Sequence, residues 1–137
     1  MQRHDIEALA KVAVECGFQV HDEIGPGLLE TAYEAFLATL LTERGLRVEA
    51  QKPVPVTYRG AVIREAFRVD LLVENSLIIE IKSVERLAPV HAKQLLTYLR
   101  LTGQPIGLLM NFGAEMFRDG VKRVINNRSD YVAPPRP

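Results

Sequence analysis

The sequence has a single cysteine, Cys16, among 137 residues, so no intrachain disulfide braces the fold, which suits a reducing cytosol. Neither sign of charge is in excess: 17 Lys and Arg balance 17 Asp and Glu. This argues against a protein that coats nucleic acid by bulk charge, although it leaves room for a local basic cleft. No apolar run is long enough to span a membrane, and the opening "MQRHDIEALAK" has no apolar signal-peptide core. A cytoplasmic protein with no membrane partner is expected. Cys and His do not fall at zinc spacing, and "GPG" at 25–27 lacks the Lys-Ser/Thr of a phosphate-binding loop. There is no internal repeat, low-complexity segment or domain linker.

What is present is a soluble globular composition, 47% hydrophobic and 25% charged. Residues 1–130 read as one domain, and 131–137, ending in "APPRP", as a disordered tail. Apolar residues spaced by three and four predict a helix from Asp5 to about Glu23 and a second from about Leu28 to Arg44, which Gly45 ends in a left-handed cap. "LRVEAQKPVPVTY" predicts a strand near a sheet edge, because its two prolines cannot donate to a ladder. "RG" at 59–60 and "ENS" at 74–76 predict turns around a long strand, Ala61 to Val73, followed by the short strand "LIIEIKS". The three form an antiparallel meander. Pro89 fits the first turn of a third helix running to Leu101. "IGLLMNF" reads as a strand buried on both faces, and "VKRVIN", after "RDG", as a short last strand. The order is ααβββαββ: α/β, a mixed central sheet flanked by helices.

Charged residues interrupt the most apolar strands. In "VDLLVENSLIIEIKS", period-two alternation puts Glu80 and Lys82 on one face with Ile78, and Ile79 and Ile81 on the other. Pairing around the 74–76 turn brings Asp70 beside Glu80. Two adjacent carboxylates repel, and one would keep its proton unless a cation intervenes. Mg²⁺ or Mn²⁺ suits such oxygen ligands and keeps several waters. Asp70, Glu80 and a backbone carbonyl such as that of Ile81 are candidate ligands. Lys82 would orient or help deprotonate a water and offset phosphate charge, a set suited to phosphodiester hydrolysis. Glu-x-Lys also reads as a surface ion pair, but strands this apolar should be central. In the next helix His91, Gln94 and Tyr98 share a face, and Tyr98 reads equally as core. Arg64, Arg68, Lys82, Arg86, Lys93 and Arg100 are candidates for a basic rim, or are scattered solvated charges. His21 and His91 also read as structural hydrogen-bonding residues, and Cys16 as core.

Asp70, a gap, then Glu80-x-Lys82 resembles the signature of the PD-(D/E)xK nuclease superfamily, with Val69 where the name has Pro. Gln94-x-x-x-Tyr98 resembles its RecB-type and λ-exonuclease-type branch, in which these residues border the active site and position nucleic acid. "GPGLLETAY", with Gly27, Glu30 and Tyr33, resembles the motif of the GxxExxY protein family, and the likeness extends over roughly His21 to Asn126. The resemblance implies the superfamily core and a place for Glu30 in the active site, where it would bind the metal through water or help hold a second ion. Glu30 also reads as a first-turn acid favoured by the helix dipole. Tyr33 shares its face and is a candidate substrate contact. Two functions follow: a Mg²⁺- or Mn²⁺-dependent nuclease acting on DNA or RNA, or a non-catalytic nucleic-acid- or protein-binding subunit on the same fold. For so small a domain, a homodimer or larger complex is expected to supply recognition surface.

Overall fold

The structure, a computed structural model, describes residues 5–128; the expected tail at 131–137 lies outside the described residues. Helix α1 (Ile6–Ile24) begins where Asp5 Oδ1 accepts the Glu7 amide at 3.0 Å, a side-chain N-cap. Helix α2 (Glu30–Glu43) ends before Gly45, whose φ of 80° is the expected left-handed closure. Strands β1 (Val48–Tyr58), β2 (Ala61–Val73) and β3 (Leu77–Lys82) form the antiparallel meander. Both hairpin turns have positive φ at their two central residues, 48° and 83° at Arg59–Gly60 and 50° and 55° at Glu74–Asn75, the conformation that matches strand twist.

Helix α3 (Pro89–Thr102) crosses over to β4 (Ile106–Asn111), which runs parallel to β3, and β5 (Val121–Ile125) returns antiparallel. The five strands lie in chain order, so β3 is central and β1, with Pro53 and Pro55, is an edge. One short element is absent from the expected order: "FRDG" forms a helical turn, α4 (Phe117–Gly120). It seats the Phe117 ring against Phe112 and Phe18, a long-range contact that local spacing does not encode.

Two cores sandwich the sheet. On one face Ile79, Ile81, Leu108 and Met110 meet Leu9, Ala13 and Val20 of α1 and Tyr33, Leu37 and Leu41 of α2. On the other, Ile78, Val69 and Leu109 meet Leu95 and Leu99 of α3. β3 and β4 are therefore covered on both sides, as their unbroken apolar runs require. The Glu80 carboxylate lies within this covered region.

Candidate active site

The site is built where β2 and β3 part. Their ladder runs only from Val73↔Leu77 to Leu71↔Ile79. Beyond it β2 stays with β1, and β3 continues beside β4 to Lys82↔Asn111. The next residues at the fork are Asp70 and Glu80. The Asp70 amide donates to Glu80 Oε2 at 2.8 Å, and Asp70 Oδ2 accepts the Ile81 amide at 2.8 Å. Backbone donors orphaned by the divergence are satisfied by carboxylates.

The fork is accompanied by a slip in alternation. Leu71 and Val73 face the α1–α2 core, yet Val69, an even number of residues away, faces the α3 core. Period two fails at Asp70. On β1, Gln51 lies between the pairs Ala50↔Leu71 and Lys52↔Val69, level with Asp70, with φ of 51°, an uncommon conformation for a non-glycine residue. Its Nε2 donates to Asp70 Oδ1 at 3.1 Å and to Glu34 Oε1 at 2.6 Å. Glu30, Glu34, Gln51, Asp70 and Ile81 line one narrow pocket under the start of α2.

Glu80 is only 5% exposed, and its carboxyl is pushed up to about 8, first by burial and then by the Asp70 charge. The bond from the Asp70 amide and the Lys82 ammonium act the other way, while Glu34 adds to the rise. Glu34 is also raised, by burial and then by Asp70 and Glu30 against the bond from Gln51. The Tyr98 hydroxyl is raised by burial and by the charges of Glu80 and Asp70, which puts it within their field. Among the described residues no three His, Cys, Asp or Glu side chains are grouped so that they could hold a metal ion. Glu30 shares a pocket with Asp70 but does not complete such a group with Asp70 and Glu80. The donors at the fork are two carboxylates with too little positive charge around them, which fits a hard divalent cation that retains waters.

The "GPG" loop brings Glu30 to this place. Gly25 and Gly27 have φ of 84° and 113°, conformations open to glycine. The Tyr33 hydroxyl donates to the Gly25 carbonyl at 2.6 Å and accepts the Leu28 amide at 3.1 Å, while Ser83 Oγ donates to the Leu28 carbonyl at 2.7 Å. Tyr33 is fully buried and stacked on Phe112, 4.8 Å between centroids. This corrects the expectation that it touches substrate: its ring fills the core and its hydroxyl clamps the loop.

On α3, Tyr98 is half-buried and stacks on Phe67 at 4.0 Å. Gln94 is exposed one turn before it. His91 Nδ1 accepts the Ala88 amide at 3.0 Å, closing the helix start. His21 Nε2 bonds the Ala114 carbonyl at 2.8 Å, and Cys16 is buried in the core. Arg68 is bonded to Glu65.

Sequence reasoning passed over Gln51, gave Glu34 no role, and missed Asn111. The i+4 spacing from Glu30 was the signal for Glu34; Gln51 offered none. Asn111 is buried and grips the chain just beyond Lys82: Oδ1 accepts the Val84 and Gly113 amides at 3.0 Å, and Nδ2 donates to the Val84 carbonyl at 2.8 Å. A Cβ on Gly113 would sit 2.3 Å from the Val84 carbonyl oxygen, so glycine is required there.

With this geometry, comparison with known proteins is decisive at one level. The family model of the PD-(D/E)XK nuclease superfamily matches residues 7–124. The chain belongs to the PD-(D/E)XK nuclease superfamily. Its mixed sheet flanked by helices is consistent with the restriction-endonuclease-like fold of that superfamily. PD-(D/E)XK nucleases act on nucleic acid and generally use divalent metal ions. No curated protein gives a significant match. Among solved structures, the crystal structure of SSO0001 is similar to the chain at 18% identity and a TM-score of 0.48, over 91% of this chain and 79% of that one. Among the described residues no helix is long and apolar enough to cross a membrane.

Proposed function

We propose that this protein is a divalent-metal-dependent nuclease that hydrolyses phosphodiester bonds, with Asp70, Glu80 and Lys82 at its centre and Glu30 assisting. The observation that carries the reading is the fork: a buried Glu80 and its neighbour Asp70, each fixed by a backbone amide, with Lys82 next on the same face of β3. Asp70 and Glu80 would hold Mg²⁺ or Mn²⁺, with the Ile81 carbonyl as a further oxygen donor. Bound there, the ion supplies the positive charge that the paired carboxylates lack and polarises the phosphodiester.

The chain's own residues divide the remaining work. Lys82 orients water and offsets phosphate charge. Glu80, once ionised, presents its remaining oxygen, since Oε2 is held by the Asp70 amide. Gln51 fixes the Asp70 carboxylate from the opposite side. Tyr98, in the field of both carboxylates, borders the phosphate path, with exposed Gln94 one turn away as a contact to the nucleic acid. His91, whose Nδ1 closes the start of α3, would contact the nucleic acid from the same helix as Gln94, and Tyr33 acts at one remove, by holding the loop that carries Glu30.

We further assign the chain to the GxxExxY group on Gly27, Glu30 and Tyr33, whose loop-clamping geometry supports a shared function for the three. Residues up to 130 form a single nuclease domain, acting in the cytoplasm. A second copy would extend its small recognition surface, as a homodimer or within a larger complex. A cleavage screen over single- and double-stranded DNA and RNA with Mg²⁺ or Mn²⁺ tests the reading. Activity should fall by about two to three orders of magnitude in Lys82→Ala and vanish in Asp70→Asn. Cleavage indifferent to both substitutions would refute it.

A further inference from the structure

We propose that the β1–β2 ribbon beyond Pro53 and Arg68 is an arm that grips duplex DNA through its major groove, making double-stranded DNA the substrate class of the site. This rests on the nuclease reading and deepens it.

Beyond the pair Val54↔Phe67, which packs against the α3 core, the ribbon leaves the body of the protein. Past the fork, β1 and β2 pair only with each other, and Ala61 to Ala66 are all exposed. Along β1 seven residues lead from Gln51, level with Asp70, to Tyr58 at the tip, a reach of roughly 23 Å at about 3.3 Å per residue, or about seven base-pair steps of duplex. Between the pairs Val54↔Phe67 and Val56↔Ile63, Pro55 alone stands opposite Arg64, Glu65 and Ala66. Proline offers no amide to the ladder, and the resulting bulge bends the ribbon.

Beyond its base the arm carries Arg59 and Arg64 against Glu65. Glu65 is bonded to Arg68 at the base, and Lys52 lies 2.9 Å from Glu49, so Arg59 and Arg64 are the cations that the arm presents. At the tip the Arg59 guanidinium lies 5.5 Å from the Tyr58 ring centroid, and Tyr58 and Val62 are 65% and 66% exposed. A cationic surface with an amphipathic aromatic suits phosphates flanking a sugar–base wall. Strand addition by another protein is disfavoured, because Pro53 and Pro55 interrupt the free edge of β1. A two-stranded ribbon fits the major groove of B-form DNA, whereas the major groove of A-form RNA is too narrow.

The test is fluorescence anisotropy in EDTA, which separates binding from metal-dependent cleavage. It uses DNA and RNA duplexes of about 20 base pairs and compares wild type, Asp70→Asn and the double variant Arg59→Ala/Arg64→Ala. Thermal melts confirm that each variant folds. Wild type should bind the DNA duplex, and the RNA duplex at least about tenfold more weakly; Asp70→Asn, which removes a negative charge facing phosphate, should bind the DNA duplex at least as tightly as wild type. The arm variant should lose about tenfold in DNA affinity and about two from the log–log salt slope, one per phosphate contact removed. An unchanged slope and affinity would overturn the arm, as would equal binding of RNA, or no duplex binding by wild type. A change in sedimentation without a change in DNA binding would overturn it in favour of a protein partner. The nuclease reading is judged separately: arm-dependent binding without cleavage in Mn²⁺ keeps the arm and sinks the nuclease, and Asp70-dependent cleavage with arm-independent binding does the reverse.

Discussion

Asp70 and Glu80 close the fork between β2 and β3 reciprocally, the Asp70 amide on Glu80 Oε2 and the Ile81 amide on Asp70 Oδ2, both at 2.8 Å. The two carboxylates thus take the place of ladder bonds that diverging strands cannot make. The same contacts that hold the strands apart fix both acids side by side, so the architecture of the sheet and the chemistry of the site are one feature.

Stability of the metal-free protein should fall as pH rises from about 4.5 to about 8. Burial and Asp70 raise the Glu80 carboxyl from 4.5 to about 8, so the folded chain binds a proton that the unfolded chain has released across that interval. The contribution is fully present below the lower value and lost as pH passes through the upper one. Urea melts in EDTA should show a slope of this sign, with a total on the order of 5 kcal/mol at most. In Glu80→Gln the slope should largely disappear.

Gln51→Gly separates backbone from side chain. Glycine accepts the positive φ without the roughly 1–2 kcal/mol that a side chain costs there, while loss of the bonds to Asp70 and Glu34 removes a similar amount. Stability by denaturant melt should stay within about 1 kcal/mol of wild type, yet cleavage should fall about 10- to 100-fold as Asp70 loses its fixed position. Unchanged cleavage would remove Gln51 from the site.

Tyr33→Phe keeps the stacking on Phe112 but leaves the Gly25 carbonyl and Leu28 amide without their partner. A loss of about 1–3 kcal/mol is expected, with faster hydrogen exchange in 25–29. The loop carries Glu30, so kcat should fall more than KM rises. A direct substrate contact would show the opposite split.

The sheet was legible because its signals are local and consistent. Alternation, two turn dipeptides and the prolines of β1 gave the meander and its edge, and the unbroken apolar run of β3 gave its central place. The Asp70–Glu80 pairing followed from register alone. What escaped depends on contacts distant in sequence or on broken periodicity. Gln51 sits in an ordinary strand stretch and reaches Asp70 only because both strands change faces there. α4 is stabilised by Phe117 against Phe18 and Phe112. Tyr33 shares a helix face with Glu30, but its hydroxyl turns back to the loop eight residues earlier, a direction that helical spacing cannot supply.

The measurement that tests the central claim most directly is calorimetric titration of Mn²⁺ at pH 7 in two buffers of different ionisation enthalpy, followed by cleavage of duplex DNA on the same samples. Glu80, raised to about 8, is mostly protonated at that pH, so metal binding at the fork should release about one proton. Wild type should bind with that release and cleave; Glu80→Gln should lose the release, and Asp70→Asn should lose both binding and cleavage. Mn²⁺ binding of undiminished affinity in Asp70→Asn, or cleavage that survives it, would contradict a metal-dependent nuclease centred on this fork.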